Sequence, residues 1–302
     1  MAIFLGIDGG GTKTTCLIGD ETSVLGSGSG GGSNFVRGGK VQAKESLGAA
    51  IRQACTVANI DISKIAYTCA GMAGVVSSET AETVRQILAE IVPGALKVVG
   101  DNAIALEAAF GGGPGVIMIA GTGSIAYGEN AARENARAGG WGFAVSDEGS
   151  GQWIGRTAVS ALLRAKDEGS ESAIYDVILK EWNLNSLSQI VVMANATPPP
   201  NFAALVPGIL KAADAGDLLA RETLTRAGSE LAQLAAIVAR KLFAGAASVP
   251  VAMVGGVFGN SALVRQSFYN YLRADFPHVA LRADVVEPVR GALQLARKAA
   301  TR

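Results

Sequence analysis

Ile7-Asp8-Gly9-Gly10-Gly11-Thr12-Lys13-Thr14, near the start of a chain of 302 residues, decides how the fold is read. The apolar run Ala2-Ile3-Phe4-Leu5-Gly6-Ile7 before it has strand length. Thr14-Thr15-Cys16-Leu17-Ile18 after it reads as a returning strand, so the glycines form a hairpin tip. Consecutive glycines let a backbone approach a ligand closely and turn several N–H groups toward an anion. The carboxylate of Asp8, at the end of the first strand, can hold a divalent cation against phosphate oxygens. Together these residues suggest a nucleoside triphosphate with magnesium. Spacing excludes two commoner phosphate loops: Lys13 follows Thr12 where a P-loop needs glycine, and Thr14 begins a strand where a dinucleotide fingerprint needs a glycine opening a helix. A plain glycine-rich hairpin remains the alternative at this point.

Composition bounds the rest. Hydrophobic residues make up 49% and charged residues 17%, enough for a sizeable core, and the length suggests two domains. Lys+Arg and Asp+Glu both number 26, so there is no basic stripe for nucleic acid and no polybasic cluster for a membrane surface. The chain enters its first strand without a signal-like leader, and the expected setting is cytoplasmic. Cys16, Cys55 and Cys69 are widely spaced among apolar neighbours and read as reduced core thiols. His278 is the only histidine and reads as structural.

The first half predicts helices over 41–58 and 79–91 and strands over 65–70 and 96–99, parallel strands joined by helices in a covered α/β sheet. After Phe110-Gly111-Gly112-Gly113-Pro114-Gly115, a boundary and hinge candidate, the pattern restarts. An apolar strand over 115–120, the turn Gly121-Thr122-Gly123 and a returning strand over 124–128 repeat the order of the opening hairpin. Helices are expected over 151–166, 173–181, 202–215 and 217–243. A strand over 249–254 leads into Gly255-Gly256, and a last helix starts near 289. Three glycine turns thus end three apolar strands, where α/β sheets gather ligands.

The motif, Asp101-Asn102-Ala103, Gly121-Thr122-Gly123-Ser124 and Gly139-Gly140-Trp141-Gly142 with Asp147-Glu148-Gly149-Ser150 recur together, in this order, in one family. The chain resembles the N-acetylglucosamine kinase group of the BadF/BadG/BcrA/BcrD-type ATPases, in the actin/hexokinase superfamily. The resemblance spans nearly the whole chain and includes Ala213-Asp214-Ala215-Gly216-Asp217. It implies two duplicated actin-like (ribonuclease H-like) α/β domains, 1–112 and 113–288, with an interdomain active-site cleft. A C-terminal helix over 289–302 would pack back on the first domain. The implied activity is transfer of phosphate from ATP, with Mg2+, to the 6-hydroxyl of an amino sugar: N-acetylglucosamine first, N-acetylmuramic acid or glucosamine as alternatives. A cytoplasmic homodimer is the implied assembly.

By this resemblance Asp8 would hold magnesium through water, and Gly9, Gly10, Gly11, Thr12 and Lys13 would wrap the β- and γ-phosphates. Gly121 and Thr122 would form a second phosphate loop, and Gly255, Gly256 and Ala215 would border the adenosine. Asp101 is the implied general base, accepting the sugar hydroxyl's proton; its alternative is a helix cap, and the family match decides between them. Asn34 and Asp147 would bind sugar hydroxyls, with Asn34 equally readable as a loop turn residue. Trp141, beside Gly140, has two readings, an apolar wall for the sugar or a core aromatic. Two positions depart from the pattern: Ile125 where the animal enzymes carry asparagine, and Ala73 where serine is frequent. An activator ATPase of the same family would need cysteine thiolates close together for an iron–sulfur cluster, and no cysteine pair here is spaced for one.

Overall fold

The computed structural model of the chain describes residues 2–75 and 77–300. In chain order the elements are β1 Ile3–Gly9, β2 Lys13–Gly19, β3 Val24–Gly31, α1 Phe35–Ala58, β4 Ile65–Met72, α2 Ser78–Ala89, β5 Ala95–Gly100 and α3 Asp101–Phe110. There follow β6 Gly115–Ala120, β7 Ser124–Glu129, β8 Asn135–Gly139, α4 Gly151–Asp167, α5 Ile174–Trp182, α6 Leu187–Ala194, α7 Val206–Asp214 and α8 Leu218–Leu242. The chain closes with β9 Val249–Val254, α9 Gly256–Asn260, α10 Ala262–Asp275, β10 Val279–Leu281 and α11 Pro288–Ala300. Residues 301 and 302 of the expected last helix lie outside the described residues. Among these residues no helix is long and apolar enough to cross a membrane.

The chain divides into two compact units. One holds the residues up to Pro114 together with those from Val286 onward; the other is Gly115–Val285. Each is built on a five-stranded mixed sheet, ordered β3-β2-β1-β4-β5 in the first and β10-β9-β6-β7-β8 in the second. In both, a strand pairs antiparallel with its successor, which pairs antiparallel with the third, while the last two strands add in parallel on the other side. The duplication visible in the sequence as one repeated hairpin is therefore a repeat of five strands.

In the first unit both sheet faces are covered, which is why β1 reads as a continuous apolar run. Alternate residues divide between two cores. Leu5 and Ile7 pack with Leu47 and Ile51, whereas Phe4 packs with Ile104 and Leu293. Strand β3, Val-Leu-Gly-Ser-Gly-Ser-Gly-Gly, has no hydrophobic side chain beyond Leu25 to drive its pairing with α1. Its alternate glycines do the work by being absent. A Cβ on Gly26, Gly28 or Gly30 would lie 2.6, 2.1 or 2.4 Å from the carbonyl oxygens of Ala54, Ala50 and Ser46. Those carbonyls are four residues apart on α1, so the helix backbone lies directly along the strand. Gly39, at φ 78° and ψ 168°, breaks α1 near its start, leaving the regular stretch that the sequence pattern marks from residue 41.

In the second unit α8 is the central helix, with twelve buried residues along it. Asp217 caps it by accepting from Ala220 N at 2.8 Å, and its other oxygen accepts from Ser172 Oγ at 2.9 Å and Ala173 N at 2.7 Å. Phe258 and Phe268 meet edge to face, ring centroids 5.1 Å apart. The single helix expected over 202–215 is a 3-10 turn, Phe202–Leu205, continued by α7, with a proline in its first turn.

Helix α11 belongs to the first unit, where Gly6 and Gly291 let it close in. A Cβ on Gly6 would lie 2.4 Å from Leu293 N, and one on Gly291 would lie 2.0 Å from the Ile104 carbonyl oxygen and 2.6 Å from Ala108 N. Alanine has the better helix propensity by about 1 kcal/mol, but backbone atoms of α3 occupy the space it needs. Gly291→Ala is therefore expected to lose about 1–3 kcal/mol through overpacking, seen as a lower melting temperature. A variant as stable as the parent would show that the helix pair can part at no cost.

Candidate functional site

The glycine turn is held from three sides. Gly10 N donates to the Lys13 carbonyl at 2.9 Å and closes the hairpin. Ala73 N, just beyond β4, donates to the Gly9 carbonyl at 2.8 Å, and Ser33 N, just beyond β3, donates to the Gly10 carbonyl at 3.1 Å. Gly9 and Gly10 do not have positive φ. Gly9 is required by crowding instead: a Cβ there would lie 2.3 Å from Met72 Sδ and 2.6 Å from Ser33 Oγ. Thr12 and Lys13 are exposed at the tip.

Asp8 is partly buried at the end of β1. Burial and then the negative charge of Asp101 push its carboxyl up to about 7, against an opposing pull from the Lys13 ammonium. Asp101 is the first residue of α3, whose N-cap is Gly100 and makes no side-chain cap bond. Asp101 is thus not the capping residue. Its carboxylate accepts from Asn102 N at 2.9 Å. Burial raises its pKa, with backbone N–H donors pulling the other way. Asn34 is the N-cap of α1, accepting from Val36 N at 3.1 Å. Gly74 backs its amide, leaving room for a Cβ only at 3.1 Å from Asn34 Oδ1. Asp8, Lys13, Asn34 and Asp101 therefore belong to one unit, at the carboxyl-terminal side of its parallel strands.

Two carboxylates with raised pKa values and one lysine make a site short of positive charge, which suits a cation. Among the described residues no group of three or more His, Cys, Asp or Glu side chains could hold a metal by itself. That donor set fits magnesium, which keeps its waters and binds through one or two carboxylates plus substrate phosphates.

The second unit repeats the hairpin turn with different bracing. Gly121 N donates to the Gly123 carbonyl at 2.9 Å, and the start of α4 sits on the turn, Gly151 N donating to the Gly121 carbonyl at 2.8 Å and Gln152 N to that of Thr122 at 3.2 Å. Asp147, 4% exposed, adopts φ 64°, a strained conformation for a residue with a side chain, and its carboxylate lies against Gly123. The adjacent Glu148 is fixed at both ends: its carbonyl accepts from Ser124 Oγ at 2.7 Å and its carboxylate from Ser146 Oγ at 3.0 Å. Ile125 fills the space beside Gly140, where a Cβ would lie 2.9 Å from Ile125 Cδ1. Trp141 is 69% exposed, which removes its reading as a core aromatic; the Arg137 guanidinium stacks 3.9 Å above its ring.

Gly255 ends β9 at φ 102°, and a Cβ on it would lie 2.4 Å from the Ala120 carbonyl oxygen at the end of β6. It is glycine for both reasons, and Gly256 opens α9 behind it. Ala215, by contrast, is the C-cap of α7, bonded to Lys211 of its own helix. Sequence reasoning missed three neighbours of these residues. Ser33 and Thr14 read as ordinary loop and strand residues, and Leu218 carries the apolar signature of a core position yet is 81% exposed.

The sequence signature of the BadF/BadG/BcrA/BcrD ATPase family matches residues 5–296. An N-acetylmuramic acid/N-acetylglucosamine kinase of Clostridium acetobutylicum is 30% identical over 302 residues, 98% of this chain and 99% of that protein. An N-acetyl-D-glucosamine kinase of Dictyostelium discoideum is 27% identical, with 97% of each chain covered. Among solved structures, a provisionally assigned N-acetylglucosamine kinase from Chromobacterium violaceum superposes with a TM-score of 0.75 at 26% identity, covering 98% of this chain and 99% of that one. The chain belongs to the BadF/BadG/BcrA/BcrD ATPase family.

Proposed function

We propose that the chain is an ATP-dependent amino-sugar kinase that phosphorylates the 6-hydroxyl of an N-acetylated amino sugar, N-acetylglucosamine foremost. The observation that carries this reading is the pair of desolvated carboxylates, Asp8 beside the glycine turn and Asp101 at the head of α3, in a chain matched over nearly its full length by amino-sugar kinases. Phosphoryl transfer asks the protein for positioning and charge neutralisation, and the hydroxyl nucleophile needs an acceptor for its proton.

In this reading Gly9 to Lys13 wrap the β- and γ-phosphates, with Gly121 and Thr122 as a second phosphate contact. Asp8 would hold a magnesium ion, which would supply neutralisation of the phosphate charge. The sugar O6 bonds to the γ-phosphorus as the bond to the β–γ bridging oxygen breaks, ADP leaves, and the O6 proton passes to Asp101. A raised pKa makes Asp101 a better base, and its bond from Asn102 N fixes which oxygen faces the sugar. Gly255, Gly256 and Ala215 border the adenosine, with exposed Leu218 as an apolar surface for the base. Asn34 and Asp147 take sugar hydroxyls, and Ile125, Gly140 and Trp141 form the wall for the acetyl methyl group. Fully buried Cys16 and Cys69, both in strand interiors, offer no accessible thiol to a bridging cluster, which disfavours the activator-ATPase alternative.

A coupled ADP-release assay over N-acetylglucosamine, N-acetylmuramic acid, glucosamine and glucose tests the assignment. N-acetylglucosamine is expected to exceed glucose in kcat/KM by at least about tenfold, the equivalent of about 1.4 kcal/mol. Equal values would remove the acetyl wall, and no release with any of the four would remove the kinase. In the same assay Asp101→Asn should keep ATP binding and lose about a hundred- to ten-thousandfold in turnover; retention of a third of the parent rate would take Asp101 out of the reaction.

Asp8 gives a prediction with a definite sign. Its folded pKa of about 7 lies above the ordinary 3.8, so the native state holds the extra proton between those values. Stability then falls as pH rises through that window and levels off above it. Asp8→Asn removes the penalty, roughly 4 kcal/mol at full ionisation. The variant should melt higher than the parent at pH 8, gain little at pH 4, and lose its magnesium-dependent activity. A variant that melts lower at pH 8 would contradict the account.

A further inference from the structure

Ser33 and Thr14, both 0% exposed, take no part in the chemistry above, yet they join the two halves of the first unit's site. Thr14 Oγ1 donates to the Gly31 carbonyl at 2.7 Å and lies 2.8 Å from Ser33 Oγ. The Thr14 hydroxyl is the donor in both contacts, to the Gly31 carbonyl and to Ser33 Oγ, and so ties the end of β3 to Ser33. Ser33 N donates to the Gly10 carbonyl. Gly32 lies on Gly11, where a Cβ would meet the Gly11 carbonyl oxygen at 2.2 Å. The segment from Gly31 to Ser33 is therefore clamped onto the phosphate turn, and the next residue is Asn34, the sugar contact that also caps α1. A second clamp runs on the other side, from Ala73 N to the Gly9 carbonyl, with Gly74 backing the Asn34 amide.

We propose that Ser33 is a positioning residue that couples sugar occupancy at Asn34 to the geometry of the Gly9–Gly10 turn, so that ATP is turned over on a sugar hydroxyl in preference to water. The proposal rests on the kinase reading. Its physical basis is close packing: with no exposed atom in Ser33 or Thr14 and no spare volume at Gly9 or Gly32, a shift of Asn34 has no slack to dissipate into. The arrangement is held because removing the Thr14 hydroxyl takes its donor from both the buried Ser33 Oγ and the Gly31 carbonyl.

The test measures ADP and sugar phosphate in parallel on the full chain, with and without N-acetylglucosamine, for the parent, Ser33→Ala, Thr14→Val and Thr14→Ser. Melting curves identify any variant that fails to fold. The parent should form one sugar phosphate per ADP. Ser33→Ala and Thr14→Val should raise the ratio of sugar-independent to sugar-dependent ADP release at least tenfold, and should raise KM for ATP more than they lower kcat. Thr14→Ser, which keeps the hydroxyl, should restore the parent ratio. If Ser33→Ala does not fold, the contrast between Thr14→Val and Thr14→Ser decides alone. Folded variants with the parent ratio and a merely lower rate would overturn the proposal, since a structural brace moves rate and stability but not coupling. ADP without any sugar phosphate from the parent would remove the kinase reading itself, and this proposal with it.

Discussion

A carboxyl at the end of β1 whose pKa is pushed up to about 7 is an acid that the fold buries with its ionised form only partly compensated. Burial supplies most of that shift and Asp101 adds to it, while Lys13, out at the exposed tip, only partly opposes it. The first unit therefore carries a standing electrostatic cost that a cation and a polyphosphate would relieve together. The rest of its architecture holds the cost in place. Gly9 admits no side chain, Ala73 and Ser33 bond the turn from either side, and α3 begins with a second raised carboxylate. Stability given up at such a point is what a preorganised binding site requires.

The same five-strand pattern occurs twice, and the copies differ where the chemistry differs. The first ends two of its strands in carboxylates, Asp8 and Asp101. At the matching turn the second has Gly121-Thr122-Gly123, sealed by the first N–H groups of α4, and moves its acid to the strained Asp147 on the following loop. A residue held at φ 64° with 4% exposure persists only because Ser150, Gly123 and the flanking Ser146–Glu148 bond fix its surroundings.

How much of this was legible in the sequence depended on what kind of signal each element sends. β1, β6 and β9 are covered on both faces and read as apolar runs, and α8 shows its long apolar face and its Asp217 cap. β3 was invisible because its interaction with α1 is made by missing side chains, and a Gly-Ser alternation looks like linker composition. β8 and β10 are short strands, one of five residues that is buried only at its end and one of three, whose pairing comes from their neighbours and not from their own pattern. At the site, glycine turns and strand-end aspartates announced themselves. The roles of Ser33 and Thr14 did not, because a serine after glycines and a threonine in a strand gain meaning only once β2 and β3 are paired in register, Lys13 opposite Gly31. Trp141 could be read both ways until its exposure was known.

Phosphorus-31 NMR of the chain with ATP, magnesium and N-acetylglucosamine tests the central claim most directly, because it reports where the phosphoryl group goes. The account predicts a phosphomonoester resonance coupled to the protons on C6 of the sugar, growing in step with ADP. An ester coupled to the anomeric proton, or inorganic phosphate with no ester at all, would contradict it.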